Sequence, residues 1–208
     1  TSDSHNGCKG CHVPHHHADD SSSVVVGSVG GWYRFLGDNP GMPGGTNGQG
    51  VVGIEADDWE RDPSSSHNVY QGVAGPLSNP TNKVNTSNTI GEFCMGCHGN
   101  FHYEMNSEQS DLSGAWIRHP SDVVIPSSGE YASYTIYNAI APAARQSVEA
   151  GDDNFATLEA GDVVTCISCH RPHGKPYPDM LRWDYSSTGG CDAASGNADC
   201  GCFVCHTT

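Results

Sequence analysis

Cys166-Ile167-Ser168-Cys169-His170-Arg171-Pro172-His173, followed near the C-terminus by Cys202-Phe203-Val204-Cys205-His206, is the stretch from which the rest of the chain is read. Two cysteines separated by two residues, with histidine next, form the attachment pattern of c-type haem. The chemistry requires that spacing. Two thiols add to the two vinyl groups on one edge of the porphyrin, and the adjacent histidine is carried under the ring, where its imidazole binds iron. The pattern recurs at Cys8-Lys9-Gly10-Cys11-His12 and Cys94-Met95-Gly96-Cys97-His98, so four copies use eight of the ten cysteines. One copy alone is compatible with chance, a redox dithiol or a zinc site. Four copies, each ending in histidine, point to four covalently bound haems c.

Composition agrees with a cofactor-rich interior. Only 36% of the 208 residues are hydrophobic, and 26 glycines and 12 prolines leave little material for an ordinary core. Four flat macrocycles bring large apolar surfaces and can form most of that core. The expected fold is mostly irregular coil with short helices and minimal strand, wrapped around a haem row. The only internal repeat is the motif itself, and no linker divides the chain, so 1–208 reads as a single tetrahaem domain.

The net charge of −15, to which haem propionates add, disfavours nucleic acid and anionic membranes. No stretch reaches the roughly eighteen apolar residues of a membrane span. Haem is attached to c-type chains outside the cytoplasmic membrane, so the protein is expected to be secreted with its signal peptide removed. In that compartment the two remaining cysteines, Cys191 and Cys200, read as a disulfide.

Between the motifs, Val24–Leu36 reads as an extended segment with turns and Asp38–Gly53 as an irregular surface loop. Tyr131, Tyr134, Tyr137 and Ile140 recur at three-residue steps, which can place them on one helical face, with Pro142 interrupting a long helix. Their simplest role is packing on a haem edge rather than carrying electrons. Pro120 holds His119 in extended or turning chain.

The motifs supply the proximal iron ligands His12, His98, His170 and His206. Eight further histidines compete with four methionines for the opposite positions, where methionine would raise the potential. Met95 lies inside a motif and is badly placed to cross to the other face. Bis-histidine ligation at every iron is therefore the expectation. A histidine three or four residues beyond a proximal ligand wraps poorly to the far side of its own haem but can reach a neighbouring iron. His15, His102 and His173 stand at that spacing, while His67 and His119 lie in loosely structured sequence and can return to any haem. These five exceed the four places by one, and for each the competing role is a surface or propionate-bonding histidine. His5, His16 and His17 read as solvent-facing.

Taken in order, these motifs together with Ser66-His67-Asn68, Arg118-His119-Pro120 and Arg182-Trp183 resemble the extracellular multihaem cytochromes of metal-reducing bacteria that polymerise into conductive filaments, the tetrahaem members most closely. The resemblance runs through most of the chain and implies a continuous row of bis-histidine haems. It also implies that a histidine just after the first motif ligates the terminal haem of the next subunit. That role falls on His15 by spacing, with His16 and His17 beside it. The implied partners are further copies of the chain in a head-to-tail filament, redox cytochromes and extracellular electron acceptors. A monomeric periplasmic electron shuttle is the alternative. A multihaem reductase is a weaker one, because it needs an open iron site, and the histidines can fill every site.

Overall fold

The computed structural model describes residues 7–12, 24–25, 33–37, 50–56, 60, 67–74, 89–98, 119, 121–149, 152, 157–185, 191 and 200–207. His5, His15, His16, His17 and His102 lie outside the described residues, as do the side chains of Cys97 and His98.

Within those residues the chain is coil-rich, with two small sheets and three helices of very unequal length. Strands β1 (Val24–Val25), β2 (Gly53–Ile54) and β3 (Val69–Tyr70) form an antiparallel sheet in which Val24 faces Ile54 and Ile54 faces Val69. Strands β4 (Val123–Val124) and β5 (Val163–Val164) form a second antiparallel pair. Arg145 joins the two regions. Its N–H donates to the carbonyl of Tyr70 (3.0 Å), and its own carbonyl accepts the N–H of Gly72 (2.7 Å). The buried Arg145 guanidinium is met by Glu159 at 2.6 Å, Asp162 at 3.6 Å and Asp152 at 3.8 Å. Burial raises the Asp162 carboxyl above its ordinary value, against the lowering pull of the Glu159 N–H and of Arg145.

Helix α1 (Ile90–His98) carries the second motif in its last two turns. Thr89 starts it: its hydroxyl oxygen accepts the Glu92 N–H at 3.2 Å, the usual service of an N-terminal threonine. The buried Asp122 carboxylate lies so close to Gly91 that a Cβ there would overlap it, which places a negative charge at the positive end of the helix. Helix α2 (Cys166–Cys169) is the third motif and α3 (Cys202–Cys205) the fourth. The N–H of Thr165 donates to Ser168 Oγ (3.0 Å), and that hydroxyl donates to the carbonyl of Pro142 (2.6 Å), fixing where α2 begins.

Burial is organised around the motifs. Tyr33, Val51, Tyr70, Ile90, Phe93, Ala144, Val163 and Ile167 form one cluster, with Cys94 against it. Ala141, Trp183 and Cys200 form the other, with Cys169, Cys202 and Phe203 packed on it. The first cluster joins α1 to α2, and the second joins α2 to α3. Among the described residues no helix is long and apolar enough to cross a membrane.

Three local expectations change. Residues 50–53, the end of the expected surface loop, are buried, because Val51 and Val52 pack inward and β2 starts at Gly53. The tyrosine series is not a helix: a 3-10 turn at Gly129–Tyr131 gives way to turns and an isolated bridge between Ile136 and Thr157. The Tyr134 hydroxyl donates to the carbonyl of Ala141 at 2.7 Å, holding the chain in a turn rather than a helix. His67 is not on a loose segment. It is 3% exposed, two residues before β3.

Cys191 and Cys200 are joined in a disulfide. Closing a loop of nine residues' separation contributes about 2.5 kcal/mol through restriction of the unfolded chain. Replacing both cysteines with serine should lower the unfolding free energy by about that amount. Denaturant melts of the double variant against the parent read it, and an unchanged midpoint would show that the cross-link contributes nothing. The Cys202 sulfur lies with these two, all three within 4.8 Å of one another. Two are consumed by the disulfide and the third belongs to a haem motif, so the trio is not a metal site.

Candidate haem-binding site

Each motif folds as a single helical turn. The histidine N–H donates to the carbonyl of the first cysteine at 2.8 Å in His12, 3.0 Å in His170 and 2.8 Å in His206, and the second motif lies inside α1. Positions three and four apart share one face of such a turn, so in the first, third and fourth motifs both thiols and the imidazole are presented together. That is the arrangement needed to bond one porphyrin edge twice and reach its iron.

The imidazoles are oriented by hydrogen bonds at Nδ1. His12 Nδ1 lies 2.9 Å from the Arg34 carbonyl, and His170 Nδ1 lies 2.8 Å from the Asp179 carbonyl. His206 Nδ1 is 3.1 Å from Glu130 Oε2. His67 Nδ1 is 3.1 Å from the carbonyl of Asn68. A carbonyl can only accept, so at His12, His67 and His170 Nδ1 is the donor and Nε2 is the nitrogen left to face a metal, and the Glu130 carboxylate holds His206 Nδ1 in the same way. This is the tautomer a metal-ligating imidazole needs, and a partner on the other nitrogen is the usual device for holding it.

Two histidine pairs are brought together. The rings of His12 and His173 have centres 5.8 Å apart with planes at 39°, and those of His119 and His206 are 6.1 Å apart at 87°. A metal–imidazole bond is about 2 Å, and the ring centre lies about 1 Å beyond the nitrogen, so two imidazoles on opposite sides of one iron have centres about 6 Å apart. Both pairs fit that spacing. In each, one partner is the histidine of a motif and the other comes from elsewhere in the chain. His67 stacks on Tyr137 with ring centres 3.6 Å apart and planes at 6°, so its orientation is set from the face as well as the edge. His15 and His102, the other expected ligands, lie outside the described residues.

The cysteines follow the same neighbourhood. The Cys94 thiol is pushed well above its ordinary range, first by a hydrogen bond with Cys166, then by burial and nearby cysteines that include Cys11. Cys169 is pushed up to about 12 by burial and by Cys202 and Cys205, and Cys205 to about 11 by burial and Cys202. These mutual influences show that the motifs that carry the thiols adjoin one another. Arg182 and Trp183 tie the last two together. Arg182 Nε donates to the Ile167 carbonyl (2.6 Å), its N–H donates to the Cys169 carbonyl (2.8 Å), and the Trp183 ring lies on Gly201.

Residues 157–208 match the family described as the doubled CXXCH motif. The paired motif indicates a multihaem c-type cytochrome. Such a protein holds haem c through its cysteines and transfers electrons, and the cysteines and histidines of the motifs fit the cofactor. Cys8, Cys11, Cys94, Cys97, Cys166, Cys169, Cys202 and Cys205 would bond it, and His12, His98, His170 and His206 would ligate its iron. No curated protein and no solved structure shows a match to the chain.

Arg34, Asn68, Glu130 and Asp179 were not legible as site residues, and Tyr137, singled out for a haem edge, was not legible as the residue that stacks on His67. Arg34, Asn68 and Asp179 act through main-chain carbonyls, which leave no trace in residue type. Arg34 also donates through its guanidinium to Asn68 Oδ1 (2.8 Å), so the residues holding His12 and His67 are bonded to each other.

Proposed function

We propose that the chain is an electron wire: four haems c, each held between two imidazoles, in one continuous row through a single unit spanning 1–208. The observation that carries this reading is the pairing of His173 with His12. His170 and His173 are three residues apart, so if they bind different irons those irons lie within about 10 Å of chain reach, before the ligands themselves are counted. Tunnelling falls off steeply with distance, and such sharing of one short loop by two haems keeps the step short. The Cys94–Cys166 contact supports the same closeness for the second and third motifs, and the Cys169–Cys202 cluster supports it for the third and fourth.

In this reading His173 completes the iron of the first motif and His119 that of the fourth. His67 and His102 are the donors for His98 and His170. Six-coordinate iron has no position for substrate, so the protein is not an enzyme. Its contribution is spacing, ligation and electrostatics.

The same proposal includes secretion and head-to-tail assembly into an extracellular filament that passes electrons from redox cytochromes to external acceptors. The resemblance of the ordered motifs supports it. A subunit that lends His15 to a haem of its neighbour and receives nothing back makes a heterologous contact, which gives an open filament if the rotation does not close. Like charge opposes that contact, but it is screened beyond about 10 Å at moderate salt. His119 stands opposite His206 in the isolated chain, and in the filament a neighbour's His15 takes its place on the fourth iron.

Electron paramagnetic resonance of the oxidised protein, with negative-stain microscopy of the secreted material, tests both halves. The expected result is four low-spin ferric haems, no CO binding after reduction, and filaments that His15→Ala abolishes. A substantial high-spin signal with rapid CO binding would return the reading to a reductase. Low-spin haems in particles that never exceed a monomer would leave the shuttle.

A further inference from the structure

We propose that Glu130 is a positioning residue for His206 and makes the C-terminal haem distinct, in potential and in magnetic spectrum, from those whose ligands rest on backbone carbonyls. The inference builds on the bis-histidine reading above. Of the proximal imidazoles whose side chains are described, His12 and His170 donate to carbonyl oxygens, whereas His206 Nδ1 meets a carboxylate oxygen at 3.1 Å. A hydrogen bond to an ionised acceptor is stronger than one to a neutral carbonyl. It draws the Nδ1 proton away from the ring and makes Nε2 more basic. A more basic ligand favours ferric over ferrous iron and lowers the potential. Glu130 is 54% exposed on its side chain, so water weakens the effect but does not reverse its sign.

Orientation points the same way. Glu130 sits in the 3-10 turn Gly129–Tyr131, and its carbonyl accepts both the N–H (2.8 Å) and the hydroxyl (2.5 Å) of Thr207, the residue after His206. Tyr131 lies 5.0 Å from the His206 ring, centre to centre. The imidazole is thus held at its edge by the carboxylate, flanked by Tyr131, and strapped at its backbone by the same short turn. Its plane crosses that of His119 at 87°, while the planes of His12 and His173 meet at 39°. Imidazoles donate π density to iron along their ring normals. Crossed rings feed two different iron orbitals and leave them nearly degenerate, which gives low-spin ferric iron a large magnetic anisotropy. Rings nearer to parallel split those orbitals and give a more rhombic spectrum.

The test uses the full-length holoprotein and two substitutions, read by spectroelectrochemistry and by electron paramagnetic resonance. Glu130→Gln keeps an oxygen acceptor but removes its charge. One of the haem waves should move to higher potential while the large-anisotropy signal keeps its position. Glu130→Ala removes both, so the same wave should move up and that signal should shift toward the rhombic ones. The Thr207 bonds go to the main-chain carbonyl and survive either change. All waves and all signals unmoved in both variants would overturn the role of Glu130. A parent protein that shows high-spin iron and binds CO would instead overturn the bis-histidine reading, and the potential shift in the two variants would still decide the role of Glu130.

Discussion

Replacing His173 with Ala should convert one haem, that of the first motif, from low to high spin and open it to CO, with the other haems unchanged. The reason is geometric. His12 is held by the Arg34 carbonyl through Nδ1, and the His173 ring centre, 5.8 Å from that of His12, lies at the distance of an opposite ligand on one iron. Among the described imidazoles His173 is the one that stands there, and a loop anchored by the Arg171 N–H on the Met180 carbonyl (2.8 Å) carries it. Loss of one of two imidazoles also raises the potential of that iron, which turns it into an electron trap and slows transfer through the row. Magnetic spectra before and after reduction under CO provide the readout. Four unchanged low-spin haems in the variant would show that His173 binds no iron and that the first motif takes its second ligand from another histidine. The parallel substitution His119→Ala, made with and without His15, then tells whether the fourth iron is completed from within the chain or by a neighbour.

Gly201→Ala should disrupt the fourth haem site while sparing the first. Gly201 precedes Cys202 and follows Cys200, so it lies between the disulfide and the last motif. A Cβ at this position would overlap the six-membered ring of Trp183, which is itself buried against Ala141 and Cys200. Overpacking of this kind costs about 1–3 kcal/mol, and here the strain is relieved most directly by moving α3 or the indole. Either movement displaces Cys202 and Cys205 relative to Cys169. Mass spectrometry should show reduced haem loading on the C-terminal peptide, and thermal unfolding should shift down. The double variant Gly201→Ala with Trp183→Leu should recover loading, since the smaller side chain leaves room. Full loading and an unchanged midpoint in the single variant would mean that the indole moves at no cost and that the close packing is not required.

The sequence by itself determined everything that depends on a few consecutive residues. Two thiols and an imidazole within one turn have a single geometry, so the pattern that attaches haem c could be read directly, and the leftover cysteines, nine residues apart, pointed to each other. The coil-rich character followed from the glycine and proline content for the same local reason. Tertiary structure decided how distant histidines meet. His119 is 87 positions from His206 and His173 is 161 from His12, and nothing in residue type says which pairs will meet. His67 looked loosely placed because its serine-rich approach carries no periodic signal. It is buried because Tyr137 stacks on one face and Asn68 holds its edge. The tyrosines misled in the opposite direction. Their three-residue spacing suits a helix, yet Gly129 has a positive φ and the Tyr134 hydroxyl holds the Ala141 carbonyl, so long-range packing overrides the pattern. Local covalent chemistry is encoded by spacing alone, whereas the second iron ligands and the groups that orient them depend on which carbonyls and rings the folded chain places beside them.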